Sequence, residues 1–167
     1  MSAVVACQPD GVAPQPTRTA ALPSVTPTPT PTSDRDAVLA AYRALYREGP
    51  RAERAHPKER RAILKQVATW PLLDSMLEGI AALRADGRMT YGYPIFRFFD
   101  VQIGGDRAAL HDCQDARNVG QADEKTGKRL SHGVTGTHMV AALIKESDGM
   151  WRVAKVDQLK VPCSSAA

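Results

Sequence analysis

The sequence predicts an α+β domain in which N-terminal helices pack on a curved antiparallel sheet. Apolar residues recur at helical spacing between residues 33 and 86, and after Gly87 the apolar pattern changes to a period of two. Two turn signals, Gly104-Gly105-Asp106 and Ser147-Asp148-Gly149, separate later apolar runs as they do in hairpins. Helices first and hairpins after are typical of the α+β class.

Three helices are predicted. Ser33 caps the first, which Gly49-Pro50 is expected to end. The second begins at Pro57, and the third runs from Pro71 to the stop at Asp86-Gly87. The residues expected to face the core are Val38, Leu39, Tyr42, Leu45, Tyr46, Ile63, Leu64, Val67, Leu72, Leu73, Met76, Leu77, Ile80 and Leu83.

Four strands follow. Aromatic and β-branched residues predict a long strand over 93–103, and the chain returns over 108–115. Two further strands, 137–146 and 151–161, form a hairpin. The polar segment between them and the earlier pair, 116–135, is expected to be a long loop or a hairpin turning at Lys125-Thr126-Gly127.

The element order and four short phrases resemble secreted actinobacterial lipoproteins that carry a nuclear transport factor 2-like domain, a cone-shaped α+β fold. The phrases are "DCQD" at 112–115, "TGK" at 126–128, "DGMWRV" at 148–153 and "PC" at 162–163. The resemblance covers residues 34–163. It implies a fold and a location outside the cytoplasm, and it implies no reaction.

The first residues resemble the end of a bacterial lipoprotein signal. Val4-Val5-Ala6-Cys7 places a small residue before a cysteine, as lipid-modifying enzymes require, so we expect Cys7 to be lipidated after cleavage. A complete signal also needs a basic start and 7–15 apolar residues, and these do not precede Cys7 here. Either translation begins further upstream, where we expect such a signal, or the signal has been lost.

Four segments are therefore expected along the chain. Residues 1–7 form the end of an export signal, and residues 8–32 form a disordered linker rich in Pro and Thr. Seven of the 12 prolines lie in that linker, so it should be extended and act as a semi-rigid spacer. Residues 33–163 form the α+β domain, and residues 164–167 form a disordered tail.

Cysteine usage favours an oxidising compartment. Cys113 and Cys163 lie in the patterned region and Cys7 lies outside it, so we expect a Cys113–Cys163 disulfide and a separate role for Cys7. The alternative is three free thiols in a reducing cytosol, since an unpaired buried cysteine behaves as a small apolar residue.

Charge and hydropathy limit the partners. The net charge is +4, and a dedicated nucleic-acid-binding protein concentrates more positive charge on one face, so no nucleic-acid partner is expected. No run of 18 or more apolar residues is present, so the sequence does not predict a transmembrane helix.

The basic residues of the 47–65 segment are interpreted as a solvated face, and contact with anionic lipid headgroups or wall polymers is the alternative. They are Arg47, Arg51, Arg54, Lys58, Arg60, Arg61 and Lys65.

The histidines raise the question of a metal site. His111 and Cys113 are two apart in a predicted strand, so they share a side with Asp115. No Cys-x-x-Cys or His-x-x-x-His pair is present, and structural zinc needs four ligands at recognisable spacing. We expect no metal and no cofactor, and we expect solvated or hydrogen-bonded histidines. The histidines are His56, His111, His132 and His138.

The resemblance also implies a catalytic alternative. Enzymes of the cone-shaped fold, isomerases and cyclases among them, place an Asp or His base and Tyr donors in an apolar pocket. The sequence pattern does not fix which side chains point into the cone, and single carboxylates on strands are mostly surface residues. The candidates are Asp100, His111, Asp157, Tyr42, Tyr46 and Tyr93.

The preferred interpretation is a lipid-anchored, extracytoplasmic binding module without catalysis. Its partner would be a cell-envelope protein or a small ligand, bound near the open end of the sheet and the 116–135 segment. The candidate binding residues are Asp112, Asp115, Lys125 and Lys128. A small-molecule enzyme using the cone pocket is the alternative, and a deep apolar cavity with an Asp or His at its base would favour it.

Overall fold

The computed structural model describes residues 33–161 and residue 163, and it confirms the predicted α+β class. The helices are α1 (Asp34–Arg54), α2 (Pro57–Leu64) and α3 (Leu72–Ala85). The strands are β1 (Arg88–Tyr91), β2 (Phe98–Gly104), β3 (Arg107–Asp115), β4 (Gly120–Asp123), β5 (Thr135–Lys145) and β6 (Trp151–Gln158). No helix in this described part is long and apolar enough to cross a membrane.

The main sheet has four antiparallel strands in the order β2-β3-β5-β6. A register shift interrupts each of its three pairings, and irregularities of this kind bend and twist strands. β1 and β4 form a separate two-stranded antiparallel sheet.

The core lies between the helices and one face of the main sheet. Along β3, buried residues alternate with partly exposed ones, so Leu110, Asp112 and Gln114 face the helices. Val38 and Tyr42 of α1 lie in the same buried cluster. That cluster also contains Leu45, Val67, Ala68, Ala108, Ala141, Leu143, Trp151 and Val153.

Helix α1 begins as predicted but ends later. The Ser33 side chain accepts a hydrogen bond from the Asp36 amide, as an N-cap does. The expected stop at Gly49-Pro50 is wrong, because α1 continues through Pro50 to Arg54. A proline removes one helical hydrogen bond, and burial of Ala52 and Glu53 beyond it favours the longer helix.

The strand prediction is confirmed for β3, β5 and β6, and it is wrong about where β2 begins. The 108–115, 137–146 and 151–161 strands correspond to β3, β5 and β6. The expected 93–103 strand is shorter, because ladder pairing begins at Phe98 and the preceding stretch makes a single bridge between Ile95 and Asp115. The 116–135 segment turns at 124–127 as predicted, and its strand β4 pairs with the unexpected strand β1.

The predicted Cys113–Cys163 disulfide is confirmed. It joins β3 to the segment after β6, with a Cα–Cα distance of 5.7 Å and a sequence separation of 50 residues. Cys7, the 8–32 linker and the 164–167 tail lie outside the described residues, so the expectations about them stay predictions.

Candidate functional site

An apolar cavity of about 400 Å³ opens between α1 and α3. The segment that follows β1, the residue before β4 and strand β6 complete its walls. Its apolar lining includes Leu45, Pro50, Met76, Ile80, Leu83 and Val156. Ligand pockets of proteins have volumes of roughly 300–1,000 Å³ and mostly apolar walls, so this cavity has the size and lining of a small-molecule site.

Two helical glycines keep the space between the helices open. A Cβ atom on Gly79 of α3 would meet nothing within 4 Å. A Cβ on Gly49 of α1 would lie 3.5 Å from the terminal methyl of Met76, which is ordinary van der Waals contact. Glycine costs an α-helix up to ~1 kcal/mol relative to alanine, so one glycine on each of the two helices lowers helix stability and leaves volume for the cavity.

Glu53 is one of the few polar side chains on the cavity wall. It is only 3% exposed, and its Oε1 atom accepts a hydrogen bond from the Thr90 amide at 2.8 Å. That bond ties the last turn of α1 to β1, since Thr90 belongs to the small sheet. Glu53 therefore sets the position of one edge of the cavity.

Tyr46 is a second polar group of the wall, and it belongs to a buried network. The hydroxyls of Tyr42 and Tyr46 lie 3.1 Å apart. The Gln114 side-chain amide donates to both of them, at 3.0 Å and 2.9 Å. Burial raises the pKa of both tyrosines, so the hydroxyls stay neutral and act as hydrogen-bonding groups.

Asp112 lies next to this network and is fully buried. Its Oδ1 atom accepts a hydrogen bond from the Arg97 amide at 2.7 Å. Burial raises the pKa of the carboxyl above its usual range. Hydrogen bonds from the Arg97 amide and from the side chains of Gln114 and Tyr42 lower the pKa, but by less. Asp112 therefore combines a raised proton affinity with a position closed to solvent.

The structure does not gather the other catalytic candidates at this cavity. Asp100 accepts a hydrogen bond from the Gln102 side chain, and exposed Asp157 pairs with Lys155 at 2.8 Å. The Tyr93 hydroxyl donates to the Arg43 carbonyl on the protein surface. None of these three side chains lines the cavity.

His111 lies on the opposite face of β3 from Asp112 and contacts another histidine. Its Nδ1 atom is 2.9 Å from Nε2 of His138, and the centre of the Phe99 ring lies 5.5 Å from that of His111 and 5.3 Å from that of His138. The Cys113 sulfur next to them is in the disulfide. Among the described residues, no group of three His, Cys, Asp or Glu side chains is arranged to hold a metal ion.

The expected binding residues are separated by the fold. Asp112 is buried, so its assignment to an exposed binding surface is wrong, because the alternation of β3 turns it toward the helices. Asp115 is also largely buried and pairs with Arg117, which lowers the pKa of the Asp115 carboxyl to about 2. Lys125 and Lys128 are exposed near the 124–127 turn.

Sequence reasoning missed Glu53 and Gln114. Glu53 lies one helical turn past Gly49-Pro50, where the helix was expected to have ended. Gln114 occurs in the "DCQD" phrase, and its alternation with Leu110 and Asp112 is the signal that places it on the inner face.

Comparisons with known proteins address the fold. No protein-family model matches the chain, and no curated protein matches it. The intermembrane-space region of the chloroplast protein ARC6 is similar over 80% of this chain and 98% of its own, with a TM-score of 0.54 and 14% identity. A likeness of this kind concerns the fold alone.

Helices packed on a bent antiparallel sheet are the architecture that the sequence resemblance implied. Solved structures of the nuclear transport factor 2-like type are among those similar to this chain. A candidate dehydratase of that family from Streptomyces avermitilis is similar over 79% of this chain and 100% of its own, with a TM-score of 0.44 and 17% identity. A candidate ketosteroid isomerase from Shewanella frigidimarina is similar over 74% of this chain and 94% of its own, with a TM-score of 0.42 and 18% identity.

Proposed function

We propose that this nuclear transport factor 2-like domain is a non-catalytic binding module whose cavity holds an apolar small molecule. The observation that carries the proposal is the cavity of about 400 Å³ between α1 and α3. Apolar surface removed from water contributes roughly 25 cal/mol per Å², so these walls favour an apolar ligand. Tyr46 and Glu53 supply the few polar contacts that would orient it.

The polar groups near the cavity support binding over catalysis. Catalysis needs a base or nucleophile within hydrogen-bond reach of the reacting atom. The hydroxyl of Tyr46 is held by Gln114 and Tyr42, and one oxygen of Glu53 is held by the Thr90 amide. Asp112, a carboxyl group with a raised pKa, is closed to solvent.

We also propose that the domain works outside the cytoplasm, anchored by lipid at Cys7. The Cys113–Cys163 disulfide supports this location, because such bonds persist in oxidising compartments and are rare in the cytosol. The 8–32 linker would then hold the domain away from the membrane, and the cavity would take up a ligand of the cell envelope.

Filling the cavity tests the binding proposal. Gly79→Phe would project an aromatic ring from α3 into space where a Cβ meets nothing within 4 Å, whereas Gly79→Ala adds only one methyl group. Nile red, a neutral apolar dye, should bind the wild type and Gly79→Ala with similar affinity and bind Gly79→Phe at least tenfold more weakly. Circular dichroism checks that both variants are folded. Equal binding to all three proteins would refute the cavity as the site.

The specific observation that favours an enzyme is Asp112, a buried acid with a raised pKa beside two tyrosines. The enzyme alternative predicts that a ligand extracted with the purified protein is chemically changed on incubation and that Asp112→Asn stops the change while binding persists. The binding module predicts that the ligand is recovered unchanged by mass spectrometry from the wild type and from Asp112→Asn.

A further inference from the structure

A second, polar pocket with different lining residues lies at the segment that connects β3 to β5. Its volume is about 280 Å³, equivalent to roughly nine water molecules. Tyr91 of β1 forms one side, and the other lining residues come from the 116–135 segment. Those residues are Arg117, Arg129, Leu130, Ser131 and His132.

The fold brings these residues together by close backbone packing. Gly92 has a φ of +82°, and a Cβ there would lie 1.7 Å from the Asn118 carbonyl oxygen. Gly120 is equally constrained, since its Cβ would lie 2.2 Å from the Ser131 carbonyl oxygen. Only glycine permits both approaches, so the pocket wall is built into the fold.

The charge of the pocket is positive. Asp115 is the acid next to it, and this single carboxylate is shared between Arg117 at 2.6 Å and Arg97 at 4.0 Å. Arg129 lies over the Tyr91 ring, 4.7 Å from its centre, and forms no ion pair or side-chain hydrogen bond within the described residues. One guanidinium charge therefore remains uncompensated even after Asp115 is counted.

Several side chains of the pocket keep a hydrogen-bond donor available. The carbonyl of Ser131 accepts from the Tyr91 hydroxyl at 2.8 Å, and the Ser131 Oγ accepts from the Gln121 amide at 3.0 Å. The Ser131 hydroxyl can still donate its proton. Arg117 binds Asp115 through Nε and Nη2, so its Nη1 atom stays available.

We propose that this pocket binds a phosphate group. Two guanidinium groups, a serine hydroxyl and the His132 ring line the pocket and can donate hydrogen bonds. The planar guanidinium of arginine matches the geometry of phosphate oxygens. The volume exceeds that of one phosphate ion, so the pocket also has room for part of the organic group of a phosphate ester. Such a group is carried by soluble phosphate esters and by lipid headgroups.

The test uses the full chain and matched charge removals. Arg129→Gln removes the uncompensated guanidinium, and Arg107→Gln makes the same change at the opposite end of β3, where Arg107 is exposed. Binding of inorganic phosphate and of glycerol 3-phosphate is followed by amide NMR. Binding to phosphatidylcholine vesicles with and without phosphatidic acid is followed by sedimentation.

The proposal expects phosphate to shift the amides of Arg129, Ser131 and His132, and glycerol 3-phosphate to bind more tightly than phosphate. Arg129→Gln should weaken binding at least tenfold, and Arg107→Gln should change it less than twofold. Retention only on vesicles with phosphatidic acid would assign the phosphate to a lipid, and binding of the soluble ester alone would assign it to a solute. Equal losses in both variants, or no shift at the pocket amides with any probe, would overturn the proposal.

Discussion

Removing the Cys113–Cys163 disulfide should lower the free energy of unfolding by a large fraction of the total. The bond closes a segment with a sequence separation of 50 residues. In the chain-entropy description, a loop of that length restricts the unfolded chain by about 4 kcal/mol, while small domains are stable by roughly 5–15 kcal/mol in all. Because Cys163 follows β6, the bond also holds the C-terminal segment against β3.

Urea unfolding with and without reductant measures this contribution. With a urea dependence of about 2 kcal/mol per molar, reduction should lower the unfolding midpoint of the wild type by about 2 M. The Cys113→Ala/Cys163→Ala double variant should unfold near the reduced wild type, and reductant should leave its midpoint unchanged. The reasoning fails if fully reduced wild type, verified by thiol titration, unfolds at the same urea concentration as the oxidised protein.

Two further outcomes follow from the buried groups and the close backbone contacts. Because burial raises the pKa of Asp112, the folded wild type should lose stability as the pH rises from about 4, the unfolded value, through the folded pKa. Asp112→Asn should lack this decline, so the difference between the two urea midpoints should change over that pH interval. A constant difference would contradict the assignment. Gly92→Ala should destabilise the domain by at least about 2 kcal/mol, because it adds a Cβ at positive φ against the Asn118 carbonyl. Gly79→Ala is the matched control and should stabilise α3 by up to ~1 kcal/mol in thermal unfolding. Similar melting temperatures for both alanine variants would refute the distinction between the two glycines.

The helices and hairpins could be predicted because their signals are local. Val38, Tyr42 and Leu45 recur at helical spacing and face the core, and Ser147-Asp148-Gly149 marks the β5–β6 turn. The end of α1 could not be predicted in this way. Pro50 is a local stop signal, but the burial of Glu53 and its bond to the distant Thr90 amide favour a longer helix.

The candidate site was less accessible to sequence reasoning because cavities are formed between distant segments. In the sequence, Gly79 is a residue that lowers the stability of a helix and gives no sign of a cavity. The cavity exists only because α1 lies opposite Gly79 in the fold. The pairing of β1 with β4 depends on register between residues 88–91 and 120–123, which no local pattern encodes. The cysteine pair was predictable, since its number and position within the patterned region favoured a bridge.

The central claim, that the space between α1 and α3 is the ligand site, is tested most directly by NMR of the protein with bound Nile red. Nuclear Overhauser effects should connect dye protons to the methyl groups of Met76 and Ile80, which line the cavity. The exposed methyl groups of Leu130 and Val134 should show none. Effects to these two surface residues in place of the cavity methyls would contradict the account.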